Sequence, residues 1–162
     1  LPPIQFAERL AEHLKKRECE QPRGPLSPSQ AAVITTRRSF YDIRAAHVPG
    51  TVCWKSEGST DWTVIFEEDP LFQLSCLHRF IYVKSVENIR GAIGGLEKVH
   101  GSVSTVGLAA SPTESPEMVK TFARWGVTRI CPLGSMQKPS LSWRHDGRPA
   151  LSDLVTWSDW EI

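Results

Sequence analysis

Residues 51–86 read TVCWKSEGSTDWTVIFEEDPLFQLSCLHRFIYVKSV, and the fold class turns on this stretch. Two short runs rich in β-branched and aromatic residues, TVCWK and WTVIF, flank the turn-rich link SEGSTD, so the pair reads as a β-hairpin. FIYVKSV reads as a third strand. These runs carry apolar residues at consecutive positions, which suits a sheet covered by helices on both faces.

Working outward, the preceding segment is helical. Ile4, Phe6, Ala7, Leu10, Ala11 and Leu14 recur at helical spacing after Pro2 and Pro3, which predicts an amphipathic helix from about residue 3 to 18. EQPRGP (20–25) breaks it and reads as a loop inside the domain. Ser27 and Gln30 then form a capping box with Pro28 in the first turn, opening a second helix that runs to about Ala46. Downstream, residues 88–99 read as a helix weakened by Gly91, Gly94 and Gly95. SVSTVGLAA (102–110) reads as a strand. A helix follows, with Ser115 as cap, Pro116 at its start and Gly126 past its end. VTRIC (127–131) is another strand, and after a polar loop a final helix spans about Pro149 to Trp160, packing Leu151, Leu154, Val155 and Trp157 inward. Alternating helices and strands predict an α/β domain, a mixed sheet flanked by helices, spanning residues 1–162 as one unit.

Composition narrows the function. The chain has 162 residues, 40% hydrophobic and 23% charged, which is ordinary for a globular protein. The formal net charge is +1 with no basic block, so the electrostatic footprint of a nucleic-acid binder is missing. Lys15, Lys16 and Arg17 complement the end of the first helix. No apolar run approaches membrane-span length, and there is no charged start with an apolar middle as in a signal peptide. Cys19, Cys53, Cys76 and Cys131 are scattered, which reads as reduced cytoplasmic thiols. The opening Leu1, Pro2 and Pro3, with no initiator Met, suggest a piece of a longer protein.

Four local motifs invite chemistry. RGAIGG (90–95) lacks the spacing and the strand-to-helix context of a dinucleotide loop, so its glycines read as close helix packing. Cys76 and His78 would share a face on a strand, open to metal binding or to a thiol–imidazole pair. No second ligand pair follows, however, and metal binding is not expected. FEED (66–69) reads as solvated carboxylates in the turn after a strand. His145, Asp146 and Gly147 offer an oriented base, but neighbouring side chains on a turn seldom meet and Asp-Gly is above all a turn signal.

The end of the chain shifts the balance among these alternatives. Gly126, Arg129 with Ile130, the loop Gly134-Ser135-Met136-Gln137-Lys138-Pro139, the turn Trp143-Arg144-His145-Asp146-Gly147 and the run Leu151-Ser152-Asp153-Leu154-Val155-Thr156-Trp157 follow in order. In that order they resemble the carboxy end of acyl-CoA reductases of the LuxC type. Residues 61–88 also resemble the family's middle segment, except that Ser75-Cys76-Leu77-His78-Arg79 stands where Ser-Pro-Leu-Asn-Arg is expected. Cys76 and His78 are therefore departures from the pattern.

The resemblance implies an aldehyde-dehydrogenase-like catalytic-domain fragment. It implies an NADPH-dependent enzyme that converts long-chain acyl-CoA to fatty aldehyde through a cysteine thioester. None of the four cysteines matches the expected nucleophile, so the catalytic cysteine and most of the NADPH site are expected outside this chain, and the isolated chain is expected to be inactive. Trp143, His145 and Asp146 on the tail loop, with Arg79 beside the third strand, are the substrate-pocket candidates. The resemblance also implies a homo-oligomeric full-length enzyme and leaves open an acyl-protein synthetase partner. Two rival readings remain: a non-catalytic interaction module using the Trp-rich tail, and an independent cysteine enzyme using Cys76 with His78.

Overall fold

The structure is a computed structural model that describes residues 1–148, 154, 156 and 158–161. They group into two compact units, Leu1–Gly95 and Leu96–Ile162. In the first unit, α1 (Pro3–Glu20) and α2 (Pro28–His47) precede β1 (Thr51–Lys55), β2 (Thr63–Glu67), β3 (Phe80–Lys84) and α3 (Ile89–Gly95). β1 and β2 form the expected antiparallel hairpin, with Cys53 opposite Ile65. β3 joins the other edge of β2 in parallel, with Ile65 opposite Tyr82.

Every residue of the central strand β2 is buried, because each face is covered by a helix. Side chains alternate along a strand, so Val64 and Phe66 pack with Ala7 and Ala11 of α1, together with Trp62 and Val83. Ile65 points the other way and packs with Ile34 and Tyr41 of α2, together with Phe80. The consecutive apolar residues in WTVIF are thus shared between two cores. Burying one such Val, Ile or Phe contributes about 1.5–3 kcal/mol.

The α2 capping box forms as expected. The Ser27 hydroxyl accepts from the Gln30 amide, and the Gln30 side chain accepts from the Ser27 amide. Of the RGAIGG glycines Gly95 serves close packing as expected, since a Cβ there would lie 1.9 Å from the Pro70 carbonyl oxygen and only glycine fits; Gly91 and Gly94 do not, because a Cβ at Gly91 would make ordinary contacts and one at Gly94 would meet open space. The expected helix over 88–99 divides into α3 and a single 3₁₀ turn, Glu97–Val99.

The second unit places α4 (Ser115–Arg124) between the parallel strands β4 (Thr105–Leu108) and β5 (Arg129–Pro132). Ser115 is the first helical residue and not the cap. Its hydroxyl donates back to the Ser111 carbonyl, while the Ser111 hydroxyl receives the Glu114 amide. Gly126, at φ +100°, ends the helix as expected. Most of the predicted final helix, including Leu151, Val155 and Trp157, lies outside the described residues. Leu154 is described, and it is 77% exposed where inward packing was expected. Among the described residues no helix is long and apolar enough to cross a membrane.

Candidate functional site

Three of the four pocket candidates come together on the tail loop of the second unit. Arg129 opens β5 and anchors the loop beyond it, donating to the carbonyls of Ser135 (3.1 Å) and Met136 (2.7 Å). Its guanidinium also lies 5.2 Å from the centre of the Trp143 ring, a cation–π contact. The Trp143 ring lies in turn 4.8 Å from the His145 imidazole. Asp146 (φ +49°) and Gly147 (φ +77°) are both left-handed, and the Arg148 amide donates to the His145 carbonyl at 3.0 Å. That is the geometry of a type I′ turn, which Asp-Gly favours.

The two side chains of this turn do meet, contrary to the expectation for neighbours. His145 Nδ1 lies 3.1 Å from Asp146 Oδ2. The stack and the carboxylate together fix how the imidazole is presented. Both side chains are nevertheless 65% exposed or more, so water screens their interaction within this unit.

Arg79 belongs to the first unit. Its Nη2 donates to the Gln21 carbonyl at 2.8 Å, and its own carbonyl receives the Thr63 amide at 2.9 Å. It ends a run of three left-handed residues, Leu77, His78 and Arg79, none of them glycine. Such a backbone costs about 1–2 kcal/mol per residue. Ser75 holds the run in place, since its hydroxyl donates to the Phe80 carbonyl and accepts from the Leu77 amide. No strand covers Cys76 and His78, so the shared-face geometry expected for them does not arise. Cys76 packs against the Ile34 and Tyr41 core, and burial pushes its thiol pKa up. Burial likewise raises the Cys53 thiol to about 11. Neither sulfur has the setting of an activated nucleophile. Among the described residues no three His, Cys, Asp or Glu side chains converge on a metal-sized site.

Of the FEED carboxylates Glu68 is exposed as expected, but Glu67 is buried and Asp69 half-buried. Glu67 is 3% exposed and lies between Arg44 (2.7 Å from Nε) and Lys84, which also reaches Asp69 at 3.0 Å. Arg44, Glu67 and Asp69 of this cluster line a cleft of about 640 Å³ between α2 and the segment after β2. Partial burial pushes the Asp69 carboxyl up. The hydrogen bonds from Lys84 and the Leu71 amide, with the charges of Lys84 and Arg44, outweigh it and hold the pKa below the ordinary aspartate value. A depressed carboxylate stabilises the fold fully above its unfolded pKa of about 3.9, and that contribution is lost as pH falls through the lower folded value. The melting temperature should therefore fall below about pH 4, and Asp69→Asn should flatten part of that fall in pH-dependent melting curves. An identical acid slope in the variant would refute the assignment.

Sequence reasoning missed Arg38, Arg44 and Lys84. For Arg38 a signal existed: Ile34, Arg38 and Tyr41 share the buried face of α2 at helical spacing.

The chain matches the family model described as acyl-CoA reductase (LuxC) over residues 2–157. No curated protein and no solved structure is significantly similar to it.

Proposed function

The chain belongs to the acyl-CoA reductase (LuxC) family, and from that premise we propose that it is the carboxy-terminal part of an aldehyde-dehydrogenase-like catalytic domain. The proposed enzyme is cytoplasmic, depends on NADPH, and reduces long-chain acyl-CoA to fatty aldehyde with release of coenzyme A. The observation that carries the proposal is the family match across nearly the whole chain.

The RGAIGG segment does not fit a dinucleotide phosphate loop. The RGAIGG glycines lie within and at the end of α3, with Gly95 packed on Pro70. The proposal therefore assigns NADPH to another part of the enzyme. It assigns the thiolate elsewhere too, because none of the four cysteines stands where the resemblance expects the nucleophile, and burial disfavours the charged form of Cys53 and Cys76. For this chain the proposal names Trp143, His145 and Asp146 on the tail loop of the second unit as pocket wall, and takes Arg79, before β3 in the first unit, as a separate substrate-contact candidate. The stacked imidazole, with its Nδ1 on Asp146, leaves Nε2 to face substrate as a pre-oriented polar group.

An NADPH-consumption assay with long-chain acyl-CoA on the 162-residue chain alone is expected to show no turnover. Measurable turnover would overturn the placement of the nucleophile elsewhere. In a reductase that carries this segment, His145→Ala should lower kcat by about tenfold or more with an unchanged melting temperature. Unchanged kcat with a lower melting temperature would make the residue part of a structural turn only.

A further inference from the structure

We propose that the free edge of β1 takes up an extended segment of a partner protein that carries Lys or Arg at alternate positions. β1 is an outer strand of its sheet, so one of its edges has no neighbouring strand. Which backbone groups line that edge follows from the ladder. The Ser56 amide donates to the Trp62 carbonyl, and the Glu68 amide to the Gly50 carbonyl, both at 3.1 Å. Bonded pairs alternate in an antiparallel ladder, so Val52 and Trp54 bond to β2 while Thr51, Cys53 and Lys55 turn their backbone groups outward. Thr63, opposite Lys55, accordingly gives its amide to the Arg79 carbonyl, towards β3. The Thr51 amide is taken by the Val48 carbonyl. Among the described residues no hydrogen bond reaches the backbone N–H and C=O of Cys53 or Lys55 from that side. These four groups are a template for one more strand.

A groove of about 620 Å³ between α1 and β1 receives the side chains on one face of such a strand. Its walls carry Glu8, Glu12, Glu18 and Glu57 against Lys15 and Lys55. Lys55 is already paired with Asp42, outside the groove, and Glu18 receives the Trp62 indole N–H at 2.9 Å. Glu8, Glu12 and Glu57 make no ion pair among the described residues, and Lys15 balances only one of them. The excess is acidic, so charge selects a basic segment. Spacing agrees with this. Same-face residues on a strand lie about 6.6 Å apart, and two helix residues four apart, as Glu8 and Glu12 are, lie about 6 Å apart along the axis. Half-buried Trp54 offers the aliphatic stems of those cations an apolar surface. A second copy of the chain suits the edge less well. In an antiparallel β1–β1 pair both α1 helices would share one face, with their unmatched carboxylates towards each other. The inference goes beyond the reductase reading: it concerns a protein partner of the Leu1–Gly95 unit and requires no turnover.

The test titrates a fluorescein-labelled heptapeptide of alternating threonine and lysine against the full 162-residue chain. Saturable binding is expected, weakened by salt. Amide exchange should slow at Cys53 and Lys55 on binding, and stay unchanged at Val52 and Trp54, which β2 already holds. Glu8→Gln together with Glu12→Gln should weaken binding by about fivefold or more. Lys55→Pro removes one outward donor without touching the β1–β2 ladder and should weaken it by about fivefold. That variant also deletes a cation from the groove, so charge alone would move affinity the other way. Melting curves identify a variant that fails to fold, and the exchange pattern of the unaltered chain then still decides. The proposal is overturned by the absence of saturable binding, by equal binding of a threonine–glutamate heptapeptide, or by unchanged exchange at Cys53 and Lys55. A dimer in light scattering that Lys55→Pro dissolves would overturn it too, since the edge would then belong to a second copy.

Discussion

Glu67→Gln is expected to lower stability by about 3 kcal/mol and the melting temperature by about 10 °C. Glutamine keeps the shape of the side chain, so the loss isolates its charge. Glu67 is the buried member between Arg44 and Lys84. Without it, Lys84, whose side chain is 14% exposed, keeps only Asp69 as a carboxylate partner. The figure is at the low end for a broken buried pair because Arg44 is 36% exposed, so water meets part of its charge. Urea or thermal denaturation measures the effect, and a loss under about 1 kcal/mol would mean that the cluster behaves as a surface ion pair. Adding Lys84→Met should restore part of the stability, since the stranded cation is then gone.

The second large effect is Arg38→Met, expected to cost about 3 kcal/mol through the loss of several charge-assisted hydrogen bonds to buried acceptors, although the Trp62 carbonyl keeps the Ser56 amide and the Ser59 carbonyl keeps the Ser56 hydroxyl. Arg38 is 8% exposed, and burial works against its charge, lowering its pKa. Its guanidinium gathers the β1–β2 link. It donates to the Thr63 hydroxyl (2.8 Å), the Ser56 hydroxyl (3.0 Å), the Trp62 carbonyl (2.6 Å) and the carbonyls of Ser56 and Ser59. Methionine can fill the space of the stem but offers no donor. Amide hydrogen exchange at Asp61, Trp62 and Thr63 should accelerate more than elsewhere in the hairpin. A uniform acceleration across the unit would show that Arg38 contributes packing and does not hold the link.

Local patterns were legible in the sequence, and distant pairings were not. The hairpin, the Ser27 capping box and the Asp146-Gly147 turn each depend on residues a few positions apart, so residue type alone reveals them. The burial of Glu67 depends on Arg44 and Lys84, 23 and 17 positions away. Nothing in four adjacent residues announces those partners. The left-handed run Leu77–Arg79 was equally hidden, because it contains no Gly or Asn to mark it. Ser115 was misplaced by one turn residue, since Ser, Glu and Pro all suit the start of a helix. Of the pocket candidates named from the sequence, Trp143, His145 and Asp146 are neighbours on one loop, and the structure brings them into contact. The cleft on α2 needed coordinates, because its opposite walls come from different parts of the chain.

The parallel alignment of β3 on β2 also sets an order of assembly. β1 and β2 can zip together from their own short link, in about 1–10 µs for a typical hairpin. β3 has no such route. It must return alongside β2 through residues 68–79, which include the three left-handed residues, and so closes a longer loop before gaining any pairing. Pulse-labelled exchange during refolding should protect the amides of β1 and β2 before those of β3; simultaneous protection would contradict this order. Since Asp69 and Leu71 lie in the same returning segment, one wall of the cleft is among the last parts of the unit to be built.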